Sequence, residues 1–472
     1  MVAVQHEGVH LRVMQHDDAG AGGGQPRSGK DGAGEFGERV FDIAVAQDRL
    51  RLRGQGGEDP EKGGEEAAHC VRAFPVVDRG RAWASGKGKT MRLSRRGAVD
   101  PFIVMDVMEK ARQAEAAGRR IIHMEVGQPG TAAPEGARAA LAEAMAREPL
   151  GYTVALGLPA LRARIARMYG ERHGIDLNPE RVVVTPGSSG AFILSFTALF
   201  DTGAKVGIGA PGYPSYRQIL RALDLAPIDI PAREEAKFQL QPYDLEEYSL
   251  DGLLMASPSN PTGTMLSKPE LAALMGWARE KGAAFISDEI YHGIEYEAKA
   301  VTALEVGDDC HVINSFSKYY SMTGWRVGWM VVPEDHIRAV ERIAQNMFIC
   351  PPHAAQVAAL AAMDCDDELQ ANLAVYAENR RLMLEGLPKA GFTRIAPPDG
   401  AFYVYADVSD LTEDSLSFAA EILEKAGVAV TPGLDFDPER GWRTLRFSYA
   451  RATADVEEGV SRLTAFMAAR NG

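Results

Sequence analysis

Cysteine is scarce: Cys70, Cys310, Cys350 and Cys365 are the four in 472 residues, and none shares a CxxC spacing. That excludes a disulfide-built scaffold, and a reducing cytoplasmic setting is expected. No apolar run approaches the roughly 18 residues that a membrane-crossing helix needs. Positive charge is short as well, with 51 Lys and Arg against 65 Asp and Glu and a formal net charge of −14. Nucleic acid and anionic membrane surfaces are therefore poor partners. What the chain does have is 46% hydrophobic residues, enough for a globular enzyme of two domains.

Residues 1–90 lack what the rest possesses. They hold 17 of the 48 glycines, in strings such as GAGGGQPRSG, and almost no apolar periodicity; only Val40–Val45 suits a short strand. Such a segment cannot bury enough surface to offset its ordering entropy. It has no apolar core of a secretory signal, and its many acids argue against a transit peptide. Met91 is followed at once by RLSRR and a helical pattern. Residues 1–90 are expected to be a disordered extension, or to precede a natural start at Met91.

From Asp100 onward the pattern alternates. A helix is expected over Val104–Ala117 and a strand over Ile121–Val126. Strands follow at 181–185, 205–209, 252–256, 283–287, 311–315 and 325–332, with helices at 191–200 and 215–223 between them. Ser267 with Glu270 three residues later is a capping box, and a long helix is expected near 366–386. Alternation of this kind implies an α/β fold with a mostly parallel sheet covered by helices, with ligands at the strand ends.

The run SFSKYYSMTGWRVGW, Ser315–Trp329, carries the sharpest chemistry. Lys318 lies among the hydroxyls of Ser315 and Ser317, with Arg326 eight residues on. A reactive lysine must lose its proton at neutral pH, a shift of roughly three units or about 4 kcal/mol. Arginine and serines around a shared phosphate would supply part of it. Upstream, SPSNPTGT (Ser257–Thr264) and FISDEIYHG (Phe285–Gly293) each follow an apolar run that reads as a buried strand. VVVTPGSSGAF (Val182–Phe192) is a β-branched strand, a glycine-serine turn and a helix start, where unpaired amides bind phosphate. TLRFSYA (Thr444–Ala450) sets Arg446 in a short apolar strand.

Taken alone, NPTG is also an ordinary turn, Tyr213 suits a packing aromatic, and Arg446 suits an ion pair. In this order and spacing, however, the motifs resemble the class I/II pyridoxal-phosphate-dependent aminotransferases of fold type I, over roughly Ser94–Arg470. The resemblance implies a small domain made of 91–137 with 371–472 and a large cofactor-binding domain over 138–370. Lys318 would form the internal Schiff base and shuttle the proton, and Asp288 would keep the pyridine nitrogen protonated. Asn260 and Tyr291 would bond the cofactor's phenolic oxygen. Ser188, Ser189, Ser315, Ser317 and Arg326 would hold its phosphate, and Tyr213 would stack on its ring. Arg446 would clamp the substrate α-carboxylate, with Gly127 of EVGQPG and Asn260 beside it.

A homodimer is also implied, with Tyr152 of GYTVALGLPALR reaching the phosphate of the partner's site; read locally, Tyr152 could equally pack on Leu158 and Leu161. The expected reaction moves an amino group from an α-amino acid to a 2-oxo acid. A carbon–sulfur β-lyase of the same fold would share every cofactor motif. An aminotransferase-like transcription regulator would need a basic N-terminal recognition domain, which glycine runs do not make. The side chain of the amino donor is not readable from these motifs.

Overall fold

The computed structural model describes residues 93–471. The extension expected over 1–90, with its short strand at Val40–Val45, lies outside the described residues.

The large sheet is built from β2 (Val182–Thr185), β3 (Lys205–Ala210), β4 (Ala226–Pro231), β5 (Gly252–Ala256), β6 (Ala284–Asp288), β7 (Cys310–Ser315) and β8 (Gly328–Val331). Their spatial order is β2-β8-β7-β6-β5-β3-β4, parallel throughout except that β8 runs antiparallel to both its neighbours. Before it in the chain, β1 (Ile122–His123) is far shorter than the strand expected over Ile121–Val126.

Why these strands read as unbroken apolar runs is visible in their packing. Val182 and Val184 join one core cluster and Val183 the other. Leu253 and Met255 part from Leu254 in the same way, as do Trp329 and Val331 from Met330. Successive strand side chains point to opposite faces, and here both faces are covered. Helices Pro159–His173, Lys268–Lys281 and Asp366–Lys389 contribute to the first cluster, and helices Gly187–Leu199, Pro214–Ala222 and Ile337–Met347 to the second.

Local signals hold where they were strongest. Ser267 caps the helix Lys268–Lys281 through the reciprocal bonds of a capping box with Glu270, and Gly282 ends it in the left-handed conformation. Two boundaries differ from expectation. The helix after β2 begins at Gly187 rather than near 191, so Ser188 and Ser189 fall in its first turn. The strand expected from 325 begins at Gly328, because Arg326 adopts a left-handed backbone with φ 55°.

The remaining strands are β9 (Arg394–Ile395), β10 (Tyr403–Asp407), β11 (Val428–Ala429), β12 (Thr431–Pro432) and β13 (Thr444–Ser448). Four of them make an antiparallel sheet ordered β12-β13-β10-β9, while β11 pairs in parallel with β1. Helix α1 (Ile103–Ala116) precedes β1. Among the described residues no helix is long and apolar enough to cross a membrane.

Candidate active site

The singled-out residues converge because most follow the carboxyl ends of the sheet strands. Asp288 ends β6, Asn260 follows β5, Tyr213 follows β3, and Lys318 lies three residues beyond β7. Ser188 and Ser189 open the helix after β2, the positive end of its dipole. Arg446 and Tyr403 come from β13 and β10, and Gly127 from the loop after β1. Together they line a cavity of about 220 Å³ that also includes Ser317, Tyr291 and Arg326.

Lys318 Nζ donates to the carbonyl oxygen of Gly127 at 2.5 Å and lies 5.7 Å from the centre of the Tyr291 ring. Burial, reinforced by the positive charges of Arg446 and Arg326, pulls its pKa down to about 7. Both effects disfavour the charged amine.

Asp288 is buried at 3% exposure. Its carboxylate accepts hydrogen bonds from the Tyr216 hydroxyl and, at 3.1 Å, from the backbone N–H of Ile290. Burial outweighs those bonds and lifts its pKa to about 6.

Arg446 is the electrostatic anomaly. It is 4% exposed, and among the described residues no carboxylate lies within 4 Å of it. One of its amino groups donates to Asn260 Oδ1 at 2.8 Å. The other donates to the Glu125 carbonyl and to Thr431 Oγ1, and Nε has no partner. Its guanidinium lies 4.4 Å from the Tyr403 ring centre and 4.7 Å from that of Phe436. A buried cation held only by neutral groups is costly unless an anion joins it.

Arg326 donates to the Thr323 carbonyl at 2.9 Å and packs against Gly187. A Cβ at Gly187 would sit 2.3 Å from the guanidinium, and φ there is 72°, so glycine is required twice over. The guanidinium, two serines at a helix start and Ser317 Oγ form a cradle suited to a phosphate. With Asp288 at one side, Tyr213 beside it and an amine of lowered pKa, the lining fits a phosphorylated pyridine aldehyde.

Not every expected residue lies in the cavity wall. Ser315 lies one layer behind: its hydroxyl donates to the Val327 carbonyl at 3.1 Å and pairs with Ser317 Oγ at 2.8 Å. It holds Ser317 in place and is not among the lining residues. Tyr152 is 83% exposed and does not line its own chain's cavity. Gly127 lines it, but the nearest obstacle to a side chain there is the Tyr403 hydroxyl, 1.7 Å from where a Cβ would stand.

Sequence reasoning missed Tyr216, Tyr403 and the apolar group Phe102, Val104 and Met105, all of which line the cavity. Tyr216 had a usable signal, since it falls three residues after Tyr213 at a helix start and shares its face. Tyr403, whose hydroxyl lies 2.7 Å from that of Tyr291, had none in FYVYA beyond ordinary strand composition.

Comparisons with known proteins agree with this geometry. The family profile described as aminotransferase class I and II matches residues 119–463. The chain is 46% identical over 384 residues to a valine–pyruvate aminotransferase from Mycobacterium tuberculosis, covering 80% of this chain and 99% of that protein. It is 34% identical over 389 residues to an aspartate aminotransferase from Streptomyces avermitilis, covering 78% and 95%. A crystal structure of a candidate aminotransferase from Silicibacter pomeroyi is 73% identical, with a TM-score of 0.78, covering 80% of this chain and 100% of that one. The chain belongs to the class I and II aminotransferases, fold type I enzymes that depend on pyridoxal phosphate.

Proposed function

We propose that this aminotransferase takes its amino group from an α-amino acid with a branched apolar side chain and passes it to a small 2-oxo acid such as pyruvate. The carrying observation is the composition of the cavity wall. Among the described residues its cations are Lys318, Arg326 and Arg446, and each has a role already. Arg326 stands in the phosphate cradle, Lys318 is the reactive amine, and Arg446 takes the α-carboxylate. Phe102, Val104, Met105 and Val126 make the wall apolar, which suits a hydrocarbon side chain and not a second carboxylate. The valine–pyruvate relative supports the same reading.

Pyridoxal phosphate, when bound, supplies a ring that draws off the negative charge left at the substrate α-carbon. The protein's own groups then divide the work. Lys318, its pKa brought to about 7 and so largely uncharged only above neutral pH, takes and returns the α-proton. Asp288 would keep a proton on the ring nitrogen, Asn260 and Tyr291 would bond the ring oxygen, and Tyr213 would pack on the ring face. Ser188, Ser189, Ser317 and Arg326 would hold the phosphate, with Ser315 bracing Ser317. Arg446 orients the substrate by a paired bond to its carboxylate.

A homodimer is part of this reading. Tyr152 and Val154 are 83% and 57% exposed, and Met347 and Ile349 are exposed as well. Bonds from Thr153 N to Cys350 Sγ and between His353 Nδ1 and the Gly151 carbonyl hold these two segments side by side. The apolar patch they form suits a second copy, which would bring Tyr152 to the partner's phosphate. The parallel pairing of β1 with β11 supports grouping 91–137 with 371–472 as a small domain beside 138–370. A cytoplasmic setting accords with the few cysteines.

The test is a donor and acceptor panel. Valine with pyruvate is expected to give a higher kcat/KM than aspartate with 2-oxoglutarate, and the reverse order would overturn the assignment.

A further inference from the structure

Helix α1 begins without a cap of its own. Its N-cap residue is Phe102, whose side chain accepts no hydrogen bond, so the first helical N–H groups need acceptors from elsewhere. They find them 332 positions away. Asp435 Oδ1 accepts from Ile103 N at 3.0 Å, and Oδ2 accepts from Val104 N at 3.1 Å. The carboxylate is 5% exposed and sits at the positive end of the helix dipole.

What that end of α1 carries is the apolar wall of the active site. Phe102 packs edge-on against Tyr213, ring centres 5.8 Å apart, and Val104 and Met105 line the same cavity. The rest of α1 rests on a small satellite core of Val107, Ala111, Ile121, Leu423 and Ala429, with Ala114 packed against it, separate from the two main clusters. Elements seated on little buried apolar area open first. The residue next to Asp435 faces the other half of the site, because the Phe436 ring lies 4.7 Å from the Arg446 guanidinium. One dipeptide thus touches both the α-carboxylate clamp and the side-chain wall.

We propose that Asp435 is a positioning residue for side-chain selectivity: by capping α1 it fixes the distance between the Phe102–Met105 wall and Arg446. It touches neither substrate nor cofactor. The inference rests on the reading of that wall as the side-chain subsite. Asp435→Ala leaves the hydrogen bonds of Arg446 and Lys318 in place but lets the first turn of α1 fray.

Hydrogen exchange on the holoenzyme, followed in peptides spanning 100–110, is expected to quicken roughly fivefold in Asp435→Ala, the effect of losing one helix cap. The KM for valine is expected to rise by a similar factor, while KM for alanine, whose methyl is too short to need the wall, and kcat for both stay within about twofold. Asp435→Asn keeps the shape and one acceptor, so it is expected to fall between, and it carries the test if the alanine variant does not fold. Unchanged exchange, an equal loss for valine and alanine, or quickened exchange with valine KM unmoved would each overturn the proposal. If the wild type uses neither donor, the side-chain reading fails on its own, and the exchange comparison still decides whether Asp435 holds α1.

Discussion

Lys318 Nζ lies 2.5 Å from the carbonyl oxygen of Gly127, so this lysine and the EVGQPG loop meet across 191 positions. A carbonyl is an acceptor that a neutral amine can still satisfy. Burial first, and then the two guanidiniums in the same cavity, disfavour the charged amine.

That arrangement has a stability signature. Lys318 falls from an ordinary 10.5 to about 7 in the folded chain. The unfolded chain therefore holds this proton between about pH 7 and 10.5 while the folded chain does not. Stability should rise with pH across that window, by an amount on the order of 5 kcal/mol at its full extent. In cofactor-free enzyme the urea midpoint is expected to climb from pH 7 to 9.5, and Lys318→Met is expected to lose most of that climb. Parallel profiles would assign the effect to other groups. The same variant is expected to abolish turnover, and borohydride reduction of the holoenzyme to leave cofactor mass on the wild-type peptide containing Lys318.

Asp288 is poised at about 6 by its burial, against the hydrogen bonds from Tyr216 and Ile290. A protonated ring nitrogen beside it would hold it ionised. Asp288→Asn keeps the shape and loses the charge. It should bind cofactor through the intact phosphate cradle yet lose about 10²- to 10³-fold in kcat, as expected for one preorganised electrostatic partner. An unchanged kcat would remove Asp288 from the ring nitrogen.

Arg446 has a buried Nε without a partner, and among the described residues no carboxylate lies within 4 Å of it. Arg446→Lys keeps the charge but not the planar fork. Losing a charge-assisted bond of about 1.5–3 kcal/mol should raise KM for amino acids about 10- to 150-fold. Normal kinetics in this variant would place the carboxylate elsewhere.

The legible part of this protein was the part whose chemistry demands particular residue types. Lys318, Asp288, Asn260 and Arg446 are few, polar and next to buried strands, so their presence there had little other use. The alternation of strands and helices was legible for the same reason, since buried parallel strands cannot be disguised. What stayed hidden is made of common residues in common patterns. Phe102, Val104 and Met105 look like any helix start, and only the closing of the chain places them opposite Arg446. The cap from Asp435 is a contact over 332 positions that no local window contains. Ser315 reads like Ser317 because both lie just before Lys318, yet residues two apart at a strand end need not share a ligand, and its hydroxyl turns back to the Val327 carbonyl.

The most demanding prediction concerns assembly. Tyr152 is 83% exposed, next to exposed Val154, and lies outside its own chain's cavity. A large aromatic left in solvent beside an apolar patch suits a partner surface. If Tyr152 serves the neighbouring subunit's phosphate, Lys318→Ala and Tyr152→Ala should rescue each other when refolded together. A hybrid dimer would then hold one site with both defects and one site with neither. If Tyr152 acts within its own chain, every hybrid site keeps a defect and mixing restores nothing. Random pairing of equal amounts makes half the dimers hybrid, and each has one good site of two. The mixture should therefore regain about a quarter of wild-type activity where interface tyrosines act across subunits. The experiment requires Tyr152→Ala to be severely impaired alone; near-normal activity in that variant would itself remove Tyr152 from the phosphate.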